Sequence, residues 1–241
     1  MNEVLAPDYG INIARQAIAV NPAASFKCDV PNMSTALFFL INDSWACTDN
    51  SYNKVPEGVV IDSLRRVATN NPELIADYYG KVAEITNPIV ALNTMLAQDG
   101  LVVYIPKNTI VEKPIQLVNI FQNASPLLAF RRLLIIAEEN SQAQLLVCDH
   151  TQNQECDFLS VQTVEIVAKR GARFDLYDLE ESSKRTNRQS ALYIRQEQDS
   201  NVLVDGVGIP LEGYNYNNDN PDSFLFDRVE VVKGANALNN G

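Results

Sequence analysis

Short β-branched runs broken by polar corners dominate the chain from Leu101 onward. Leu101 to Ile105, Thr109 to Val111 and Ile115 to Ile120 predict three strands. Pro106 and Pro114 between them lack a backbone donor and push the residue before each toward extended geometry, so no helix forms there. Beyond Asn119, Leu133 to Ile136, Ala143 to Cys148, Val161 to Val167, Phe174 to Leu179, Leu192 to Ile194 and Val202 to Val207 predict further strands without helices. Val161, Thr163 and Glu165 alternate with Gln162, Val164 and Ile166, the period of two that sends successive side chains to opposite faces. After a polar tract at 208–223, Phe224 to Val232 predicts one more strand.

The first hundred residues have a different pattern. A polar lead-in, with Ile11, Ile13, Ala14 and Ile18 as its modest apolar positions, is broken by Pro7, Gly10 and Pro22. Ala36 to Ile41 and Gly58 to Ile61 predict strands on either side of an Asn/Asp-rich loop. Asp62 or Ser63 caps a helix carrying Leu64 and Val67. Asn71-Pro72 starts a second with Leu74, Ile75, Tyr78 and Tyr79, stopped by Gly80, and Asn87-Pro88 starts a third with Val90, Leu92, Met95 and Leu96. Ala36 to Gln98 therefore predicts a small α/β cap.

The corners repeat. Glu139-Asn140-Ser141-Gln142, Arg170-Gly171-Ala172-Arg173 and Asp199-Ser200-Asn201-Val202 recur at roughly 30 residues, a spacing that suits one coil of a solenoid. Asn, Gly and Ser supply the left-handed or side-chain-bonded turns such a coil needs. Strands joined by tight corners, with no room for crossover helices, predict a mainly β fold: a right-handed parallel β-helix preceded by the α/β cap. The division is an N-terminal cap region at 1–98 and a β-helix at 99–241. A β-sandwich also yields short strands and stands as the alternative.

Composition narrows the chemistry. The 241 residues carry 19 Lys and Arg against 30 acids, a net charge of −11, which disfavours nucleic acid and anionic lipid as partners. No apolar run approaches the roughly 20 residues of a membrane span, and the N-terminus lacks the pattern of a signal peptide, so a cytoplasmic location is expected. Cys28, Cys47, Cys148 and Cys156 show no Cys-x-x-Cys spacing and read as buried thiols. His150 is the single histidine. With Cys148 it shares one face of a strand through Cys148-Asp149-His150, but two ligands are too few for a metal site. Glu138-Glu139 and Glu180-Glu181 are adjacent acids of the kind that cleave glycosidic bonds in other β-helices, though such pairs are more often solvated corners. There is no nucleophile elbow and no phosphate-binding glycine loop. No catalytic, cofactor-binding or metal-ligating residue is assigned.

The stretch Asp99-Gly-Leu-Val-Val-Tyr-Ile-Pro-Lys-Asn-Thr-Ile-Val-Glu-Lys-Pro-Ile-Gln-Leu-Val-Asn119 resembles the block that opens the β-helix of the SufB/SufD family of iron–sulfur cluster assembly proteins. Ala91-Leu92-Asn93-Thr94-Met95-Leu96-Ala97-Gln98 and Arg131-Arg132-Leu133-Leu134-Ile135-Ile136-Ala137-Glu138-Glu139 are closer to its SufD branch, and the likeness runs from about Ala6 to Val207. The resemblance implies a non-catalytic scaffold subunit that pairs with a SufB-like subunit, with nucleotide hydrolysis supplied by a SufC-type ATPase. It implies that no cofactor is bound by this chain itself, the iron–sulfur cluster belonging to the assembled complex. It also implies helical segments before and after this region and a longer β-helix. A chain stopping at Gly241 is then expected to leave a strand edge uncovered and to self-associate unless its partner is present. A carbohydrate-binding or carbohydrate-active β-helix is the functional alternative, weakened by a lone Trp45 and the absence of a signal peptide.

Overall fold

The computed structural model describes residues 9–11, 35–46, 53–205, 207–208 and 228–233, with backbone alone for residue 11 and the last two segments. In chain order the elements are β1 (Gly10–Ile11), β2 (Ala36–Ile41), β3 (Ser44–Trp45), β4 (Val60–Ser63), α1 (Leu64–Asn70), a 3₁₀ turn (Pro72–Leu74), α2 (Pro88–Leu96), β5 (Gly100–Ile105) and β6 (Ile115–Phe121). Then come β7 (Leu127–Ala137), β8 (Gln142–Thr151), β9 (Phe158–Ala168), β10 (Arg173–Glu181), β11 (Thr186–Gln196), β12 (Asn201–Val204), β13 (Val207–Gly208) and β14 (Arg228–Lys233). Cys28, Cys47 and most of the polar tract at 208–223 lie outside the described residues.

Successive long strands alternate between two facing sheets. One runs β14-β11-β9-β7-β5-β4, with β1 also on β7, and the other β13-β12-β10-β8-β6-β2-β3. Pairing between neighbouring coils is parallel: Leu127 lies beside Phe158, and Phe158 beside Thr186. The fold is thus mainly β and a parallel β-solenoid. Parallel pairing reaches back past Leu101, since β2 lies parallel to β6. Antiparallel strands close both sheets at this end, β4 on β5 and β3 on β2. Asn53 also covers the free side of β2, its amide bonding both the N–H and the carbonyl of Leu37 at 2.9 and 2.7 Å.

The corners form a stack. Asn108, Asn140, Gly171 and Asp199 all have positive φ, and each of the first three donates its N–H to the next coil, Asn108 to the Glu139 carbonyl at 2.8 Å and Asn140 to that of Arg170 at 3.0 Å. Asn, Asp and Gly tolerate this left-handed geometry, which is why these residue types recur at the coil period.

Burial explains the run Leu133-Leu134-Ile135-Ile136. Leu133 and Ile135 point into the space between the sheets, where they meet Leu101, Val103, Ile105, Val164, Ile166, Leu192 and Ile194. Leu134 and Ile136 point outward with Val102, beneath Leu64, Val67 and Ile75. Strands buried on both faces read as continuous apolar runs, and each such side chain stabilises the fold by about 1.5–3 kcal/mol relative to an exposed one. Further along, Val82, Ala83 and Val90 cover Val167, Ala191 and Tyr193 in the same way.

Four local expectations are revised. Thr109 to Val111 is no strand, because the corner leaves room only for a bridge from Ile110 to Gln142. The helix at Asn71-Pro72 is a single 3₁₀ turn, with no side-chain cap bond from Asn71. Val202 to Val207 breaks at Asp205, where φ is 49°, and β13 turns back antiparallel on β12. β7 begins at Leu127 rather than Leu133, because its first half carries the charged pair Arg131-Arg132 and hides its strand pattern.

Gly100 pairs with Arg132 so closely that a Cβ on it would lie 1.9 Å from the Arg132 carbonyl oxygen, whereas one on Gly80, at φ +67°, would meet nothing within 4 Å. Gly100→Ala is expected to lose about 1–3 kcal/mol or more through forced backbone movement, and Gly80→Ala about 1 kcal/mol from conformation alone. Urea denaturation of the two variants checks the order.

Candidate functional site

Adjacent residues of a strand face opposite ways, and β7 uses this to bury two arginines back to back. Arg131 enters the solenoid interior and Arg132 the space beneath the cap, both fully buried. A buried guanidinium survives only with carboxylates and further hydrogen bonds around it.

Arg131 meets Asp149 of β8 across the interior in a bidentate pair, Nη1 to Oδ1 at 2.6 Å and Nη2 to Oδ2 at 3.0 Å. Its Nε donates to Gln162 Oε1 at 2.9 Å, and Asp43 lies 3.5 Å from Nη1. Asp43 arrives from the two-residue turn between β2 and β3, where Asn42 and Asp43 both have positive φ, the geometry of a tight hairpin. The Asp43 carboxylate accepts from Asn119 Nδ2 at 3.0 Å and from the Ser160 hydroxyl at 2.8 Å. On the other side of Asp149 stands Arg188 of β11, which also donates to Asp178 Oδ2 at 2.6 Å and pairs with Glu180 at 2.7 Å. Gln162 Nε2 donates on to the Ser190 hydroxyl at 2.6 Å.

The layer follows from register. Asn119, Asp149 and Glu180 are neighbours on one sheet, and Arg131, Gln162 and Ser190 on the other. It lies between the main apolar core and a smaller cluster of Phe121, Leu127, Ala129, Cys156 and Phe158. Burial would raise the Asp149 carboxyl, but Arg131 and Arg188 outweigh it and hold the group down at about 2. Burial also pushes Asp43 up to about 6 and raises Asp178 and Glu180, the negative charge of Asp149 adding to each.

Arg132 forms a second lock. Its Nε and Nη2 donate to Glu165 Oε2 at 3.0 and 2.6 Å, and its guanidinium lies 5.0 Å from the ring centre of Tyr79. Glu165 also accepts the N–H groups of Gly80, Val82 and Ala83. Asn93 of α2 donates to the carbonyls of Arg131 and Val161 at 2.8 and 2.9 Å, holding the cap on the coil.

The residues singled out in the sequence fall around this layer. Cys148 and His150 share the outer face of β8. Cys148 is buried with Gln116 Nε2 at 3.8 Å, and His150 Nδ1 lies 3.1 Å from Glu181. Cys156 belongs to the small apolar cluster, where burial and then Asp157 push its thiol up, away from the thiolate. Glu180 and Glu181 face opposite ways, one to Arg188 and one to His150, so they form no acid pair. Glu138 accepts from the Tyr78 hydroxyl at 2.9 Å, while Glu139 pairs with Lys107 and Arg170 at the corner. Trp45 packs on Phe38. Among the described residues no group of three or more His, Cys, Asp or Glu is placed to hold a metal ion. Arg131, Arg188, Asp43 and Asp178 gave no motif. Their signal was only the presence of charge at inward positions of apolar strands.

Two family descriptions match consecutive parts of this chain: the SufBD protein N-terminal region at residues 1–117, and the SufBD core domain of the SUF system for FeS cluster assembly at 120–220. The chain belongs to the SufB/SufD family. Among curated SufBD relatives, the iron–sulfur cluster assembly SufBD family protein ycf24 of Trieres chinensis is 37% identical over 117 residues, 48% of this chain and 24% of that protein. A SufBD family protein of Synechocystis sp. is 25% identical over 146 residues, 60% of this chain and 32% of the other. The iron–sulfur cluster assembly protein SufD of Bacillus subtilis is 26% identical over 141 residues, 54% and 32% of the two chains. The aligned segments therefore span only a quarter to a third of these SufBD relatives. The interior charged layer lies in β-strands of the SufBD core together with the hairpin of the SufBD N-terminal region. The carbohydrate alternative finds no support. Among the described residues no helix is long and apolar enough to cross a membrane.

Glu165→Gln removes the charge opposite Arg132 and weakens the hold on three backbone N–H groups. We expect a loss of about 3–5 kcal/mol, the cost of leaving a buried charge without its partner, seen in equilibrium denaturation. Earlier amide exchange at Gly80, Val82 and Ala83 should accompany it.

Proposed function

We propose that this chain is a SufD-like, non-catalytic scaffold subunit of an iron–sulfur cluster assembly complex. The observation that carries this reading is the match of residues 120–220 to the SufBD core domain on a parallel β-solenoid, joined by the likeness to the SufD protein of Bacillus subtilis. Its partners in this reading are a SufB-like subunit and a SufC-type ATPase. The sequence carries no phosphate-binding glycine loop, so ATP hydrolysis falls to the partner. The cluster is cargo of the assembled complex, and the interior layer serves to hold the two sheets in register. We take the protein to act in the cytoplasm or, in a plastid-bearing organism, in the chloroplast, the compartment named for a relative in Arabidopsis thaliana.

Co-expression with a SufB-like subunit and a SufC-type ATPase tests the proposal. The expected result is a stable complex in which ATPase activity depends on the ATPase subunit, while the chain alone hydrolyses no ATP and retains no stoichiometric iron and sulfide after anaerobic reconstitution and desalting. Cluster retained by the isolated chain and lost in Cys148→Ser, or no binding to either partner, would overturn it.

A further inference from the structure

Counting charge in the interior layer exposes an imbalance. Among the described residues two guanidiniums, Arg131 and Arg188, face four carboxyl groups: Asp43 from the β2–β3 turn, Asp149 from β8, and Asp178 and Glu180 from β10. The other elements packed here contribute neutral groups, Asn119 from β6, Ser160 and Gln162 from β9 and Ser190 from β11. Asp205, a further carboxylate just past β12, accepts from the Asp178 backbone N–H at 2.9 Å. With every acid ionised the layer would hold two uncompensated negative charges in a low-dielectric interior, an arrangement that neutralises itself where it can.

The groups form a chain in the order Asp43, Arg131, Asp149, Arg188, then Asp178 and Glu180 together. Asp149 sits between both arginines and keeps its charge. Glu180 is the outermost, with 30% of its side chain exposed, and water can support its charge. Asp43 and Asp178 have side-chain exposures of only 0% and 5% and touch one arginine each. Asp178 also has a buried oxygen, Oδ1, with no hydrogen-bond partner, which is where a proton would sit. Asp43 Oδ2 lies 2.8 Å from the Ser160 hydroxyl, which can accept as readily as donate.

We propose that the layer is a two-proton site, with Asp43 and Asp178 taking up protons as the coil closes and their loss at higher pH loosening the contact between the sheets at this level. The raised pKa values of both groups, about 6 for Asp43, agree with the geometry. An acid whose pKa is higher folded than unfolded stabilises the fold below its unfolded value, and that contribution is lost as pH rises through the folded value. For Asp43 the window runs from about 4 to about 6.

The test uses the whole chain and three isosteric variants. The denaturation midpoint of the wild type is expected to fall as pH rises from about 4 to about 6, the Asp43 window. Asp43→Asn and Asp178→Asn should each flatten that slope, costing little at its acid end, where an amide mimics the protonated acid, and matching or exceeding the wild type at its upper end, where the wild type has lost this stabilisation. Asp149→Asn, which discharges the ionised group, should lower the midpoint throughout. Difference infrared spectra should show carboxylic-acid carbonyl bands that vanish in the Asp43 and Asp178 variants. Refolding in weakly buffered solution near the middle of the window should take up fewer protons in either. The proposal fails if the midpoint is flat or rises across the window, if the carboxylic-acid bands are absent, or if Asp178→Asn and Asp43→Asn are as damaging as Asp149→Asn at every pH.

Discussion

The structure depends on a guanidinium held by a carboxylate across the inside of a coil. Arg131 and Asp149 belong to different sheets, and both are fully withdrawn from water. Apolar packing between parallel sheets is permissive about register, because one branched side chain fills a gap much as another does. A bidentate ion pair is not: it requires two nitrogens to meet two oxygens. The solenoid thus combines an apolar core that supplies most of the stabilisation with one polar layer that fixes how the two sheets face each other. The energetic balance of such a layer is delicate, since the desolvation of each charge rivals its attraction to the partner. Gln162, Asn119 and Ser160 tip that balance by bonding Arg131 and Asp43, with Ser190 accepting from Gln162.

The same logic operates outside the coil. Arg132, one residue on, fixes the cap through Glu165 and Tyr79, so a single dipeptide joins inside and outside. Cap and coil are linked further by Asp99, which bonds the Ser63 hydroxyl and the N–H groups of Arg65 and Gly100. The Tyr79–Arg132 contact and the N–H bonds of Gly80, Val82 and Ala83 to Glu165 run between the SufBD N-terminal region and the SufBD core, which also share a buried cluster, whereas the Asp99 bonds lie within the first of these.

Much of the fold was legible in the sequence because its repeat is punctuated by residues with special backbone freedom. Pro106 and Pro114 marked the first coil, and Asn140, Gly171 and Asp199 marked corners that prove to be left-handed and stacked. The N-caps Ser63 and Asn87 were readable for the same local reason, each side chain accepting a bond from the first turn. The site was less legible. Arg131, Asp149 and Arg188 come together only through pairing between coils, and nothing local distinguishes a buried arginine from a solvated one. Cys148 and His150 do share a face, but register sets Glu181 beside His150 and Leu179 beside Cys148, a distribution no single strand discloses. The hairpin at Asn42-Asp43 was visible as a strand end, whereas its delivery of a carboxyl group into the interior depended on β6 and β9.

A double-mutant cycle on Arg131 and Asp149 tests the central claim most directly. Arg131→Met and Asp149→Leu should each cost about 3–5 kcal/mol by taking from a buried charge its bidentate partner, while the double variant, apolar on both sides, should lose far less than their sum. Small losses that simply add would show that the pair does not organise the coil, and would contradict the account.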